Sequence, residues 1–153
     1  MFESRDVAAY IAQECDKRGI EYNNTKIQKL MYCCYGVSLA YANERICDEY
    51  PRVWPHGPVF PKVFKCYQKM NGVAGYSTVF RDTATEKQKN IVEAVLDCYG
   101  KYNAGSLSAW SHQEGSPWWK LVKLEDAPWN SFMPDEYIQN FFKGEIVNGQ
   151  VAS

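Results

Sequence analysis

The chain has 153 residues, of which 46% are hydrophobic and 23% charged, a size and composition typical of one folded domain and unlike those of a disordered chain. Its formal net charge is −1, so no overall positive field favours binding to nucleic acid. No apolar run approaches the roughly 18 residues that span a bilayer, and no secretory leader is recognised before the first amphipathic segment. We therefore expect a cytoplasmic protein without membrane contact.

Two amphipathic helices are predicted at the start of the chain. Ser4 is expected to cap the first helix, and Gly19 to end it in a left-handed conformation. Asn24 or Thr25 is expected to cap a second, longer helix, whose wide apolar face indicates that it lies at the centre of the domain. The residues that share this face are Ile27, Leu30, Met31, Cys34 and Ser38.

The next part of the chain is predicted to combine a rigid segment with a third helix. Residues 51–58 contain three prolines and a glycine, which exclude a helix and favour an ordered loop or a short strand. Pro61 suits the first turn of a helix that ends at Asn71 and Gly72. The side chains predicted to face inward from this helix are Val63, Phe64, Tyr67 and Met70.

A short strand and a fourth helix are predicted beyond residue 76. The β-branched and aromatic side chains of residues 77–80 favour a strand, with Val53 and Trp54 as its partner if it pairs. Thr83 and Glu86 have the spacing of a capping box, which predicts the start of the fourth helix.

The remaining elements complete a mainly α fold. The fourth helix is expected to stop at Gly100, Ser106 to cap a short fifth helix, and Pro134 to open the last one. We expect a single compact helical domain over residues 1–144, with five to six helices and a possible short two-stranded β element. Residues 145–153 are expected to form a tail.

The cysteines predict neither disulfides nor a metal site. Adjacent Cys33 and Cys34 would point about 100° apart on a helix and cannot share a metal ion. Cys34 lies on the apolar face, which favours a buried, inert thiol. A hydrolase that pairs a cysteine with His56 or His112 remains an alternative, but no nucleophile or phosphate-binding motif supports it. We expect no enzyme activity, metal or cofactor.

Two rigid segments are candidates for a contact surface. Residues 54–59 and 111–118 each combine proline, tryptophan and histidine. Ordered aromatic side chains lose little entropy on binding and often dominate interfaces. Alternatively, Trp54 and Trp118 fill the core while each histidine ties a loop to a helix. Both interpretations remain open.

Ordered motifs along residues 7–118 resemble one protein family. Residues 25–32, Thr-Lys-Ile-Gln-Lys-Leu-Met-Tyr, resemble a Leu-Gln-Lys-Leu-Leu-Tyr helix. Residues 54–64, Trp-Pro-His-Gly-Pro-Val-Phe-Pro-Lys-Val-Phe, resemble a Trp-x-x-Gly-Pro-Val-x-Pro-x-Val-Tyr signature. Three closing elements of the family are Tyr-Gly, Leu-Ser and Thr-His-x-x-x-Pro-Trp. They resemble residues 99–100, residues 107–108, and His112 with Pro-Trp at 117–118. Together they resemble the Panacea family, also described as SocA-like or phage-associated GepA-like proteins.

The resemblance implies an antitoxin domain, typically encoded beside a toxin in bacterial or prophage genomes, which neutralises that toxin by direct binding. One relative is similar in delivering its toxin to a cytosolic protease, which implies a protease as a further partner. A DNA-binding regulator of its own operon is an alternative that the charge balance disfavours. The oligomeric state stays open.

The candidate partner-binding residues come from the long helix and the two rigid segments. The helix is expected to act as a scaffold, while loops at residues 54–58 and 112–118 present the contact surface. This hypothesis requires the two loops to lie together. The nine candidates are Lys26, Lys29, Tyr32, Trp54, His56, Pro58, Trp110, His112 and Trp118.

Overall fold

A long buried helix organises the fold. The computed structural model describes residues 1–147 of the chain. Helix α2 (Asn24–Ala42) packs against α1 (Ser4–Arg18) and against four later helices. Every residue of α2 from Lys26 to Leu39 is buried, as expected for a helix that is apolar around most of its circumference. The mainly α-helical fold predicted from the sequence is confirmed.

Local caps fix the ends of these two helices. The side chain of Glu3 accepts a hydrogen bond from the first turn of α1, so Glu3 is the cap and Ser4 is the first helical residue. Asn23 caps α2 by accepting from the N–H of Lys26, one residue before the predicted position. In both cases the cap is the last residue with an extended backbone. Gly19 ends α1 with a φ of 70°, as predicted.

A short antiparallel hairpin follows α2 and confirms the two-stranded element. Strand β1 (Arg52–Trp54) pairs with β2 (Gly57–Val59). The register joins Arg52 to Val59, Val53 to Pro58 and Trp54 to Gly57. Only two residues connect the strands, so the prolines and glycine of this segment build a tight turn within the sheet.

The strand predicted at residues 77–80 is wrong. Helix α4 (Val79–Thr83) lies there, and Phe80 is buried with its ring 4.7 and 4.8 Å from the rings of Phe2 and Tyr10. Because β-propensity is a weak preference, burial of this one aromatic ring outweighs it. The second neighbour of β1 is instead Phe132, which forms an antiparallel bridge to Arg52.

Helix α3 (Pro61–Met70) begins and ends as predicted. Pro61 occupies its first turn, and Asn71 ends it with a left-handed φ of 53°. Of the four side chains predicted to face inward, only Val63 is buried, and Met70 is 46% exposed. The helix lies on the surface against α1 and α2, so it buries a narrower stripe than its sequence offers.

Helix α5 (Glu86–Tyr99) has a capping box, but not at the predicted residues. Thr85 accepts from the N–H of Gln88, and the Gln88 side chain accepts from the N–H of Thr85. The predicted cap, Thr83, is wrong, since its hydroxyl donates to the Val79 carbonyl within α4. The capping pattern occurs twice, two residues apart, and the short helix α4 occupies the first copy. The predicted stop at Gly100 is confirmed.

Three further helices follow. Helix α6 (Ala104–His112) is capped by Asn103, whose side chain accepts from the N–H of Ser106 at 2.8 Å, so the prediction of Ser106 as the cap is wrong. Helix α7 (Pro117–Trp119) continues into a π-helix (Lys120–Leu124). The described part of the chain thus has eight α-helices, more than predicted because α4 and α7 are single short turns.

Helix α8 (Asp135–Val147) closes the fold against α2. A Cβ atom at Gly36 would lie 2.0 Å from the ring of Phe142, so this contact requires a glycine in α2. The predicted opening of the last helix at Pro134 agrees with its observed start. The predicted tail begins at residue 145, within α8, and residues 148–153 lie outside the described residues. No helix within residues 1–147 is long and apolar enough to cross a membrane.

Candidate partner-binding surface

The two rigid segments lie in direct contact, as the docking hypothesis requires. The indole N–H of Trp118 donates to the carbonyl oxygen of Trp54 at 2.8 Å, which joins α7 to strand β1. The hydroxyl of Ser108 donates to the carbonyl oxygen of His56 at 2.7 Å, which joins α6 to the hairpin turn. Two hydrogen bonds therefore hold the hairpin against the α6–α7 region.

His112 lies at the centre of this contact. Its ring stacks on Trp118 with centroids 4.2 Å apart, and its imidazole donates a hydrogen bond to the backbone of His56. Burial lowers the pKa of His112 below its ordinary value of 6.5, which favours the neutral ring. Its Nε2 atom is buried, with no hydrogen-bond partner in residues 1–147. His112 thus ties a loop to a helix, one of the two roles that the sequence left open.

Lys29 supports the hairpin from below. Its ammonium group donates to the carbonyl oxygen of Pro58 at 3.1 Å, and the residue is 1% exposed. Burial lowers the pKa of Lys29 to about 8. Gly57 lies directly above it, with a φ of 118°, and a Cβ atom there would lie 3.0 Å from Cε of Lys29 and 2.7 Å from Oγ of Ser111. The hairpin therefore needs glycine at this position for both space and backbone conformation.

Lys26 and Tyr32 are buried as well. Lys26 donates from Nζ to the carbonyl oxygen of Gly100 at 2.7 Å and so ties α2 to the end of α5. Tyr32 is 0% exposed and packs its ring against Trp110 and Phe142. The α2 candidates therefore hold other elements in place and offer no side chain to a partner in this structure. Lysines are seldom buried unless their ammonium groups are paired, and here each ammonium group donates to a backbone carbonyl oxygen.

Trp110 belongs to a different cluster from the hairpin. Its half-buried ring lies 5.2 to 6.2 Å from the rings of Tyr32, Tyr99, Phe141 and Phe142. These rings come from α2, α5 and α8. Trp110 therefore packs the interior between helices, and the structure does not bring it to the two rigid segments.

Two exposed aromatic residues were missed by the sequence analysis. Trp129 and Phe132, in the loop between the π-helix and α8, are 55% and 57% exposed. Trp129 lies 6.3 Å from the ring of Trp118, and the guanidinium of Arg52 lies 4.0 Å from the centre of the Phe132 ring. The Pro-Trp-Asn sequence at residues 128–130 was the available signal, but no periodicity or motif links it to the hairpin.

These residues together form a surface that we call the aromatic face. Its members are Trp54, His56, His112, Trp129 and Phe132. Trp118 and Pro58 are buried directly beneath it. Of the nine predicted residues, Trp54, His56 and His112 retain exposed or partly exposed side chains here, and their contact with a partner stays a prediction.

A groove crosses the aromatic face between Trp54 and Trp129. We call it the tryptophan groove, and its volume is about 580 Å³. The indole N–H of Trp54 donates to Oδ1 of Asn130 at 3.0 Å, which fixes one wall to the neighbouring loop. The residues that line the groove are Glu49, Arg52, Trp54, Pro55, Pro61, Lys62, Lys65, Trp129 and Asn130.

The thiols show no sign of activation. Cys33 and Cys34 are 0% exposed, and burial raises the pKa of both. Burial also raises the pKa of Cys15 to about 11 and of Cys47 to about 12. A nucleophilic cysteine needs a lowered pKa, so these thiols do not support a hydrolase. Within the described residues, no group of three or more His, Cys, Asp or Glu side chains could hold a metal ion.

Comparison with known families identifies the domain. The protein-family model described as "Antitoxin SocA-like, Panacea domain" matches residues 27–119, more than half of the chain. The chain belongs to this family of SocA-like antitoxins. A curated relative, Antitoxin SocA of Caulobacter vibrioides (strain NA1000 / CB15N), is 25% identical over 128 residues, which cover 76% of this chain and 68% of the relative. No solved structure gives a significant match.

The matched Panacea domain contains most of the aromatic face but not all of it. The hairpin, α3 and the α6–α7 region lie within residues 27–119, whereas Trp129 and Phe132 follow the matched segment. The tryptophan groove therefore has one wall from the Panacea domain and one from the segment after it.

Proposed function

We propose that this chain neutralises a toxin encoded beside it by binding that toxin directly through the aromatic face. The observation that carries the proposal is the exposure of two large aromatic side chains, 55% for Trp129 and 57% for Phe132, beside a hairpin held by hydrogen bonds. Membership in a family of antitoxins supports a toxin as the partner.

The rigidity of the support favours this use of the surface. The hairpin is fixed by Trp118 and Lys29, and Trp54 is fixed by Asn130. Side chains that are ordered before binding lose less conformational entropy when a partner arrives. Tryptophan and arginine are also the residues that most often dominate binding energy at protein interfaces.

Direct binding needs no catalytic step, because a toxin is inactivated once its working surface is covered. Delivery to a cytosolic protease would add a second partner to the same complex and would end in degradation of the toxin. The two outcomes share the toxin-binding step, so that step is tested first.

The test expresses the reading frame beside this gene in bacteria, alone and together with this chain. We expect the neighbour to arrest growth alone and to be tolerated in the presence of the chain. Tagged chain should retain the neighbour on affinity resin. The double variant Trp129→Ala/Phe132→Ala should lose both effects, whereas Tyr102→Ala, which removes a 45% exposed aromatic residue elsewhere, should keep both.

Several outcomes would redirect the proposal. Growth rescue without retention of the neighbour would contradict direct binding. A shift of the chain's own upstream DNA in a gel at physiological salt, with no protein retained, would favour an operon regulator.

The role of a protease is tested in cells that lack an ATP-dependent protease. Growth rescue that persists in these cells supports neutralisation by binding alone. Growth rescue that is lost while binding persists supports delivery of the toxin to that protease.

A further inference from the structure

The tryptophan groove concentrates positive charge. Arg52, Lys62 and Lys65 line it, and Glu49 is its only acidic lining residue. One carboxylate oxygen of Glu49, Oε2, accepts from the backbone N–H of Lys62 at 2.8 Å, and this single carboxylate opposes three cations. A chain with a net charge of −1 thus carries a local excess of cations beside two tryptophans.

The three cations are available to a partner. Both lysine side chains are exposed, and none of the three forms an ion pair with a carboxylate in the described part of the chain. Arg52 donates to the carbonyl oxygen of Asn130 at 3.0 Å and lies over the ring of Phe132. These contacts orient its guanidinium without neutralising its charge.

The apolar walls of the groove are held in place. The ring of Trp54 packs edge-on against Phe64 with centroids 5.0 Å apart, and Trp129 lies beside Trp118. Pro55 and Pro61 complete the wall on the hairpin side. A ligand that fits this groove needs apolar groups for the walls and negative charge for the rim.

We infer that the tryptophan groove binds an acidic, extended segment of the toxin, which places carboxylates against Arg52, Lys62 and Lys65. This inference rests on the proposed function and names the part of the partner that the aromatic face recognises. A nucleic-acid strand fits less well, because backbone binding uses a longer basic track than three cations. Charge complementarity of this kind sets the rate and the specificity of association.

The central variant is Lys62→Glu/Lys65→Glu, which we call the rim variant. It reverses the charge of two of the three cations at the rim of the groove and leaves both tryptophans in place. Both lysine side chains are exposed, and Lys62 lies in the first turn of α3, where the helix dipole favours an acidic residue. The matched control is Lys17→Glu/Lys87→Glu, which makes the same change in net charge at exposed residues outside the groove. Far-UV circular dichroism checks that both variants fold. If the central variant does not fold, Lys62→Gln/Lys65→Gln replaces it.

The first measurement uses a defined probe. A short fluorescein-labelled peptide rich in Glu with one Trp is titrated with the chain and followed by fluorescence anisotropy. We expect binding that weakens as salt rises, and a loss of roughly ten-fold or more for the rim variant, as reversing two charges implies. The control variant should bind as the unmodified chain does. No binding of this peptide, or equal binding by the rim and control variants, would overturn the inference.

The second measurement separates this inference from the proposed function. The same variants are tested for retention of the neighbouring toxin on affinity resin. Retention that is reduced only in the rim variant supports the inference. Equal retention by all variants overturns the inference and leaves neutralisation by binding intact. If the unmodified chain retains no toxin, the proposed function fails and the peptide titration alone decides on the groove. Tighter binding of single-stranded oligothymidine than of the peptide, lost in the rim variant, would overturn the assignment of a protein segment.

Discussion

The ammonium group of Lys29 lies beneath the hairpin and donates a hydrogen bond to the carbonyl oxygen of Pro58 at 3.1 Å. Its neighbour Gln28 accepts from the backbone N–H of Phe60 at 2.8 Å. Two polar side chains of α2 therefore hold β2 and the residue that follows it. Because the hairpin carries Trp54 and His56, this attachment positions part of the aromatic face, although neither polar side chain is exposed.

We predict that the contribution of Lys29 to the stability of the chain rises with pH in alkaline solution. Burial lowers its pKa from 10.5 to about 8. Between these values the side chain holds a proton in the unfolded chain that it has lost in the folded chain, so the contribution of Lys29 to the free energy of unfolding increases as pH rises through this range. The whole shift corresponds to a gain on the order of 3 kcal/mol.

Urea unfolding of the unmodified chain and of Lys29→Met, from about pH 7 to about pH 10.5, checks this prediction. The buried thiols act in the opposite direction, because burial raises the pKa of Cys15 and Cys47. The difference between the two proteins cancels these thiols and isolates Lys29. That difference should grow in favour of the unmodified chain as pH rises. A difference that stays constant with pH would show that Lys29 does not titrate in this range.

Trp110 is predicted to contribute to stability and not to toxin binding. Its ring contacts four other aromatic rings between α2, α5 and α8. Because the ring is only half-buried, Trp110→Ala should cost about 2 kcal/mol, less than the loss for a fully buried tryptophan. The exposed residue His56 gives the control, since His56→Ala should change stability by less than about 0.5 kcal/mol. Thermal unfolding followed by circular dichroism compares the two, and identical curves would show that Trp110 does not support the fold.

The start of α5 can be tested with a pair of threonines. Thr85→Ala removes the hydroxyl that accepts from the backbone N–H of Gln88, while the bond from the backbone N–H of residue 85 to the Gln88 side chain is kept. The loss of this cap should lower the free energy of unfolding by about 1 kcal/mol. Thr83→Ala removes only an exposed hydroxyl that donates to the Val79 carbonyl within α4, so it should cost less. Urea unfolding measures both, and a larger loss for Thr83→Ala would return the cap to the residue that the sequence first suggested. Neither variant should change toxin retention.

Sequence reasoning was most successful where a signal is local. Pro61 at the start of α3, Asn71 at its end and Gly19 at the end of α1 each act through their own backbone conformation. It failed where long-range packing decides between local alternatives. The pairing of β1 depends on a turn of two residues and on Phe132, some 80 residues away in the chain, and no local propensity encodes that choice.

The candidate site was predicted only in part for a related physical reason. The expectation that the two rigid segments lie together agrees with the structure, in which two hydrogen bonds join them. Their proline and aromatic content was the signal in the sequence. Lys26 and Lys29 were candidates from the long helix, but both are buried, because carbonyl oxygens of distant segments accept hydrogen bonds from their ammonium groups. Trp129 was missed because its loop meets the hairpin only in three dimensions.

Gly57 provides the sharpest test of how the hairpin supports the aromatic face. Alanine at this position would be strained by the φ of 118° and would bring Cβ within 2.7 Å of Oγ of Ser111 and 3.0 Å of Cε of Lys29. Together these effects should cost on the order of 2 kcal/mol or more. The matched control is Gly75→Ala, where no atom lies within 4 Å of the added Cβ.

Urea unfolding of both glycine variants should therefore show a large loss for Gly57→Ala and a change within about 0.5 kcal/mol for Gly75→Ala. Toxin retention should fall for Gly57→Ala at temperatures where the variant is still folded, because displacing the hairpin also displaces Trp54 and His56. Retention equal to that of the control, despite lower stability, would mean that the toxin contacts a surface that does not depend on the hairpin. The exposed aromatic residues of the loop between the π-helix and α8 would then have to bind the toxin without it.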